Sequence, residues 1–246
     1  MLTDLARRIL RRAGFDVMRI DDIDPEFLSV YEKCRSFTMT SFMRMYALYE
    51  ATRYIVRAGV PGAFVECGVW KGGSAMLAAY TLRSLGAEDR ELYLYDTYAG
   101  MAAPSAVDVD PANRPALEEW KKHQEPDRNA WCYASLDEVR RNLRSTGYPE
   151  AKMHFVEGLV EETIPARVPE RISILRLDTD WYESTRHELQ HLYPLLSGGG
   201  VLILDDYQYW QGAKKATDEY LRGARDTLLW RVDSSARIGV KRSTSP

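Results

Sequence analysis

The sequence predicts an α/β domain built on a doubly wound, mostly parallel seven-stranded sheet with an antiparallel C-terminal edge, plus N-terminal helices and a lid insertion. Three observations lead there. Short apolar strands alternate with helices from residue 63 to residue 223, the rhythm that parallel sheets require. Acidic residues close those strands, as in ILRLDTD at 174 to 180 and VLILDD at 201 to 206, where a parallel sheet opens its cleft. Two last runs, TLLWRV and ARIGVKR, are joined by the turn DSSA and so form an antiparallel hairpin. With 246 residues, 45% of them hydrophobic, the chain can bury a substantial core.

Residues 1–60 read as an N-terminal helical extension and 61–246 as the main domain. In LTDLARRILRRA, Leu2, Leu5 and Ile9 share a face with arginines around it, and Gly14 stops the helix. It lacks a bulky aromatic anchor, so docking on its own domain or on a second copy is favoured over a membrane surface. DDIDPEF at 21 to 27 reads as a linker. From Ser41 to Ala58, Phe42, Met45, Leu48 or Tyr49, Ile55 and Val56 mark a long helix ended by Gly59 and Pro61. Because the βα units do not need them, these helices are expected to help form a homodimer.

AFVECGVWKGGSAMLAAYTLRSLG at 63 to 86 is a strand, a Gly-rich turn and a helix. Gly68, Gly72 and Gly73 would let backbone approach a ligand closely, and Ser74 opens a helix whose N–H groups can receive an anion. Glu66 can aim a carboxylate at a cationic amine. The strand ELYLYD ends in Asp96, placed to accept hydrogen bonds from ribose hydroxyls. Residues 101 to 134 carry Pro, Asp and Asn with Trp120, Trp131 and Tyr133, more apolar mass than a solvated loop needs, and read as a lid over the cleft.

Ser135 caps LDEVRRNLRS, and MHFVEG at 153 to 158 is the third strand, turning at Gly158. After ILRLD come a helix at 183 to 196, a turn SGGG, the strand VLILDD and a helix at 212 to 223. If the two acid-tipped strands are neighbours, Asp178, Asp180, Asp205 and Asp206 meet at one edge. That is a cage for a hard divalent cation such as Mg²⁺.

Several classes are disfavoured. A net charge of −3 and a pI of about 5.9 give no basic field for nucleic acid. Cys34, Cys67 and Cys132 form neither a disulfide framework nor a zinc knuckle, which suits a reducing cytoplasm. No run reaches eighteen apolar residues, and arginines stand where a signal peptide would be apolar. HELQH at 187 to 191 matches the zinc motif H-E-x-x-H, but both histidines fall opposite the stripe of Thr185, Leu189, Leu192 and Leu196. An oxidoreductase or binding protein using NAD(P) or another nucleotide would keep the fold, but the first loop lacks G-x-G-x-x-G.

The segments TMTSFMRMYALYEATRYI, VECGVWKGGS, YDTYAGM, LRLDTDWYEST, LYPLLSGGG and LDDY, in that order over roughly residues 36 to 225, resemble the macrocin O-methyltransferase (TylF) family of class I S-adenosylmethionine-dependent methyltransferases. The resemblance implies methyl transfer to a hydroxyl of a small molecule, on a sugar or a phenol-like group, with Mg²⁺ present. It implies S-adenosylmethionine contacts at Thr38, Met39, Glu66, Gly68, Val69, Trp70, Ser74, Asp96, Thr97, Tyr98 and Gly158. It likewise implies metal ligation by Asp178, Asp205 and Asp206, with Asp180 as general base.

Overall fold

The computed structural model describes residues 23–223 and 227–242, so the basic helix expected at 2 to 13 lies outside the described residues. Seven strands form one sheet in the order β3-β2-β1-β4-β5-β7-β6. They are β1 (Ala63–Cys67), β2 (Leu92–Asp96), β3 (Met153–Glu157), β4 (Ile172–Leu177), β5 (Leu196–Leu204), β6 (Thr227–Arg231) and β7 (Arg237–Lys241). The first five pair in parallel, and β7 runs antiparallel to both β5 and β6. The chain leaves β1 for β2 and β3 on one side and returns to β4 on the other. That reversal opens a crevice at the carboxyl ends of β1 and β4.

Helices cover both faces. They are α1 (Pro25–Cys34), α2 (Phe42–Arg57), α3 (Gly73–Ser84), α4 (Ala116–Lys122), α5 (Leu136–Arg144), α6 (Val160–Thr163), α7 (Tyr182–Leu192) and α8 (Gln211–Gly223). Strand alternation sorts the core into two clusters. Phe64, Leu92, Leu94, Ile174, Val201 and Ile203 point toward α1, α2, α3 and α5, and Val65, Tyr95, Leu175, Leu202 and Leu204 point toward α6 and α7.

Two local readings are corrected. The stretch taken as a linker begins a helix: the Asp24 carboxylate accepts from the Glu26 N–H and Pro25 occupies the first turn, so DPEF is a helix start. Helix α7 stops at Leu192, because Pro194 cannot continue it and a 3₁₀ turn over Tyr193–Leu195 follows. SGGG therefore lies inside β5, where a register shift separates the Ile172–Leu196 and Ile174–Val201 pairs and Gly199 adopts φ +81°.

Helices α1 and α2 belong to the core of the sheet. Phe27, wholly buried, meets Phe42 and Tyr46 edge-on at ring-centre distances of 5.2 and 5.0 Å. Met45, Leu48 and Ile55 join Phe64 and Ile203 in one cluster. The buried faces of α1 and α2 thus pack within the chain itself. If so, Phe27→Ala should destabilise the protein by about 3–5 kcal/mol. Denaturant unfolding should keep a single transition by far-UV and near-UV circular dichroism. An early transition confined to helix signal would mark α1 as an independent layer.

Candidate active site

At the switch point the strand ladder runs one residue past the strands. Gly68 N–H donates to Tyr95 O at 2.9 Å, Asp178 N–H to Cys67 O at 2.8 Å, and Asp205 N–H to Leu177 O at 3.0 Å. The acid-tipped strands are neighbours, and Asp178, Asp205 and Asp206 bring one carboxylate oxygen each within 4.8 Å of one another. Above them opens a cleft of about 750 Å³, large enough for a cofactor together with a small second molecule.

Beneath the acids lies a residue the sequence reading passed over. Arg176 sits mid-strand in β4, 2% exposed, and is the register partner of Glu66 across β1 and β4. Its guanidinium donates to Glu66 Oε1 (2.7 Å), Asp178 Oδ2 (2.7 Å), Asp205 Oδ1 (2.6 Å) and Thr40 Oγ1 (3.0 Å). The other oxygen of Asp205 accepts from Arg44 on α2, which also donates to Asp233 at 2.7 Å. A lone arginine inside an apolar strand was the available signal, since a buried cation must have partners.

Glu66 lies below the cleft floor and does not line it, because Arg176 engages it from the same face. Its Oε2 has no partner, and burial, only partly opposed by Arg176, raises it to about 7. A ligand's amine was expected opposite Glu66, and in this structure its carboxylate faces Arg176. Burial also lifts Asp178 and Asp206 well above the carboxylate range, and the neighbouring aspartates add to it. Asp180 is pushed up to about 7 by burial and by Asp178 and Asp205, against hydrogen bonds with Asp206 and Trp210.

The Gly-rich loop is held from below. Asp96 Oδ2 accepts from the N–H groups of Val69 (2.7 Å) and Trp70 (3.0 Å), and Oδ1 from Tyr98 N–H (2.8 Å). Asp96 lines the cleft, and its carboxylate also accepts from these three backbone donors. The glycines serve the protein more than a ligand. A Cβ at Gly68 would fall on Asp178 O, one at Gly73 would lie 2.6 Å from Phe37 O, and one at Gly72 would lie 2.6 Å from Leu143 Cδ2. Thr38, Met39, Gly68, Val69, Trp70 and Ser74 line the cleft along with Asp178, Asp180, Asp205 and Asp206, whereas Thr97, Tyr98 and Gly158 do not. Tyr98 is buried and donates to Leu94 O at 3.0 Å.

The insertion closes the other wall. Met101, Arg114, Glu118, Lys122 and Trp131 line the cleft. Trp131, Trp181 and Trp210 meet edge to face at 5.0–6.2 Å. Trp181 Nε1 donates to Ala102 O and Trp120 Nε1 to Met101 O.

The zinc reading of HELQH does not survive. His187 Nε2 lies 2.9 Å from Ile164 O and His191 Nδ1 lies 2.9 Å from His187 O. Glu188 points the other way, fully buried, and accepts from Thr179 Oγ1 at 2.9 Å. Among the described residues, the one group of three or more metal-ligating side chains is Asp178, Asp205 and Asp206.

A seven-stranded sheet of this order with a carboxyl-edge cleft defines a class I methyltransferase. The family model for the macrocin O-methyltransferases (TylF) matches residues 31–236, so the chain belongs to that family and is an S-adenosylmethionine-dependent O-methyltransferase. It is 33% identical over 183 residues to demethyldecarbamoylnovobiocin O-methyltransferase of Streptomyces niveus, covering 74% of this chain and 67% of that protein. It is equally identical over 183 residues to mycinamicin III 3''-O-methyltransferase of Micromonospora griseorubida, covering 74% and 69%. The structure of the O-methyltransferase NovP superposes with a TM-score of 0.71 at 30% identity, covering 84% of this chain and 82% of that one. Calicheamicin methyltransferase CalS11, at 16% identity and a TM-score of 0.62, covers 97% and 93% and shares the fold.

Removing Arg176 should leave Glu66 buried without its cation and Asp205 with Arg44 alone. Arg176→Met is expected to cost about 3–5 kcal/mol, the range for breaking a buried pair on one side. Adding Glu66→Gln should recover part of it. Denaturant midpoints of the two variants check this, and a neutral Arg176→Met would mean the carboxyls already carry protons.

Proposed function

We propose that this methyltransferase acts on a sugar hydroxyl of a natural-product glycoside, with Mg²⁺ held by Asp178, Asp205 and Asp206 and with Asp180 as general base. The carrying observation is the charge balance at the cleft floor. Four carboxyls, on Asp178, Asp180, Asp205 and Asp206, line it beside two guanidiniums, on Arg44 and Arg176. The donors within 4.8 Å of one another are all hard carboxylate oxygens, a set that suits Mg²⁺. Repulsion among them is what a dication at that point relieves. When bound, the cation supplies Lewis acidity toward an acceptor hydroxyl.

Thr38, Met39, Val69, Trp70 and Ser74, at the end of the cleft beside the start of α3, would hold S-adenosylmethionine. The cofactor brings the electrophilic methyl, and its positive charge suits the acidic floor. Asp96 acts through the loop it fastens, and Glu66 through Arg176. Asp180 would take the acceptor hydroxyl's proton, so that its oxygen can receive the methyl group the cofactor supplies. Trp131 and Trp210 wall the acceptor end and exclude water there. The acceptor class rests on relatives whose names place the methyl on a sugar of an antibiotic, such as the rhamnosyl 4'-O-methyltransferase acting on a tetracenomycin C derivative, from Streptomyces olivaceus and 33% identical.

Asp180→Asn keeps the side chain's shape but cannot take a proton. Turnover should fall about 10²- to 10⁴-fold, with S-adenosylhomocysteine and Mg²⁺ affinities by titration calorimetry unchanged. Turnover near that of the parent protein would remove Asp180 from the reaction. Asp206→Ala should instead weaken Mg²⁺ binding, and excess Mg²⁺ should restore part of the activity. If Mg²⁺ binds Asp206→Ala and the parent equally, the ligand assignment is wrong.

A further inference from the structure

Asp180 sits in a conformation that needs support. Its φ is +71°, and the N–H of Trp181 donates to Thr179 O at 2.8 Å. That closes a γ-turn of the rarer, strained kind with the aspartate at its centre. Such a turn persists only where its surroundings over-determine it. Helix α7 starts immediately afterwards, and its own cap residue, Trp181, makes no side-chain capping bond.

The missing cap comes from the insertion. Asp108, fully buried, accepts from the Tyr182 N–H at the first position of α7 through Oδ1, at 2.7 Å. Its Oδ2 accepts from Ser105 N–H (2.6 Å) and Ser105 Oγ (2.7 Å), and its carbonyl accepts from Ala116 N–H at 2.9 Å. A negative charge at a helix N-terminus is favourable, and the buried setting strengthens it. The fit is tight: a Cβ at Gly212, in the first turn of α8, would fall on Asp108 Oδ1. On the opposite side of the turn, Glu188 holds Thr179.

We propose that Asp108 is a positioning residue for the reaction: from within the insertion it pins the start of α7 and thereby holds the turn that presents Asp180 to the cleft. This rests on the reading of Asp180 as the base. The insertion is on this account a strut of the base as well as a cover for the cleft.

The test combines kinetics and amide exchange on the full chain. Asp108→Ala should lower kcat about 10- to 100-fold, the scale of a misplaced catalytic group. The KM for S-adenosylmethionine and the Kd for S-adenosylhomocysteine should stay within about twofold, since the cofactor end is untouched. Asp108→Asn retains an acceptor for Tyr182 and should recover most of the lost kcat. Hydrogen–deuterium exchange of the peptide covering 178 to 185 should speed up in Asp108→Ala. Placed in the Asp180→Asn background, Asp108→Ala should cost little more, because the group it positions is already disabled.

An unchanged kcat with unchanged exchange overturns the proposal. So does a loss that multiplies in the Asp180→Asn background, or one that falls equally on cofactor affinity and kcat as general destabilisation would. An Asp180→Asn variant with near-normal turnover sinks the base reading alone, and the exchange experiment still reports whether Asp108 holds the turn. If Asp108→Ala does not fold, Gly212→Ala, which presses a methyl group on Asp108 Oδ1, should give the same selective loss of kcat. A Gly212→Ala protein with parental kcat and exchange then overturns the proposal.

Discussion

The guanidinium of Arg176 is the constraint on which the reactive edge of this protein depends. A cation withdrawn from water is tolerated only when its donors are engaged, and here they reach carboxylates from β1, β4 and β5. Those bonds require the registers observed, with Glu66 opposite Arg176 and Leu177 opposite Leu204. Sliding β4 by one residue would turn Arg176 into the apolar layer on the other face, and sliding β1 would do the same to Glu66. The ion cluster is therefore best understood as specifying one arrangement of the strand ends. Its net stabilisation is small because desolvation offsets most of the Coulombic attraction.

The same network explains why the N-terminal helices cannot be separated from the domain. Thr40 and Arg44 come from the start of α2, yet they complete the coordination of Arg176 and of Asp205. Arg44 and Ser41 also bind Asp233 in the turn between β6 and β7. Burial works against the Asp233 charge, but donors from Ala236, Ser41, Ser235 and Arg44 hold its carboxyl down to about 2. One helix start thus joins the acidic floor to the antiparallel edge, while the apolar side of the helix fills the core beneath.

Strain in the backbone gathers around the cleft. Trp70, Tyr98, Cys132 and Asp180 are non-glycine residues with positive φ, and Trp70, Cys132 and Asp180 line the cleft. Three of them are braced: Asp96 binds the N–H groups of Trp70 and Tyr98, and the tryptophan cluster packs beside the turn of Asp180. Loops at such positions are usually the least stable parts of a domain. Here buried carboxylates and large aromatic rings hold them in place, which suits a reaction in which the protein's work is alignment.

How much was legible in the sequence follows from which signals are local. Alternation of apolar strands with helices, the DSSA hairpin and the acids that end ILRLD and VLILDD are properties of short windows, so the sheet class, the antiparallel edge and the gathering of Asp178, Asp180, Asp205 and Asp206 could be read directly. The ordered motifs likewise led to the family that the comparisons bear out. Two local features, the DPEF helix start and the proline that ends α7, were present and misread because capping and breaking signals compete with linker composition. The partners of Arg176, the inward turn of Glu66, the use of Asp96 on its own loop and the cap that Asp108 lends to α7 were decided by tertiary structure alone. Residues 74 positions apart along the chain, as Asp108 and Tyr182 are, meet only through the strand registers and the path of the insertion, and neither leaves a periodic trace in the sequence.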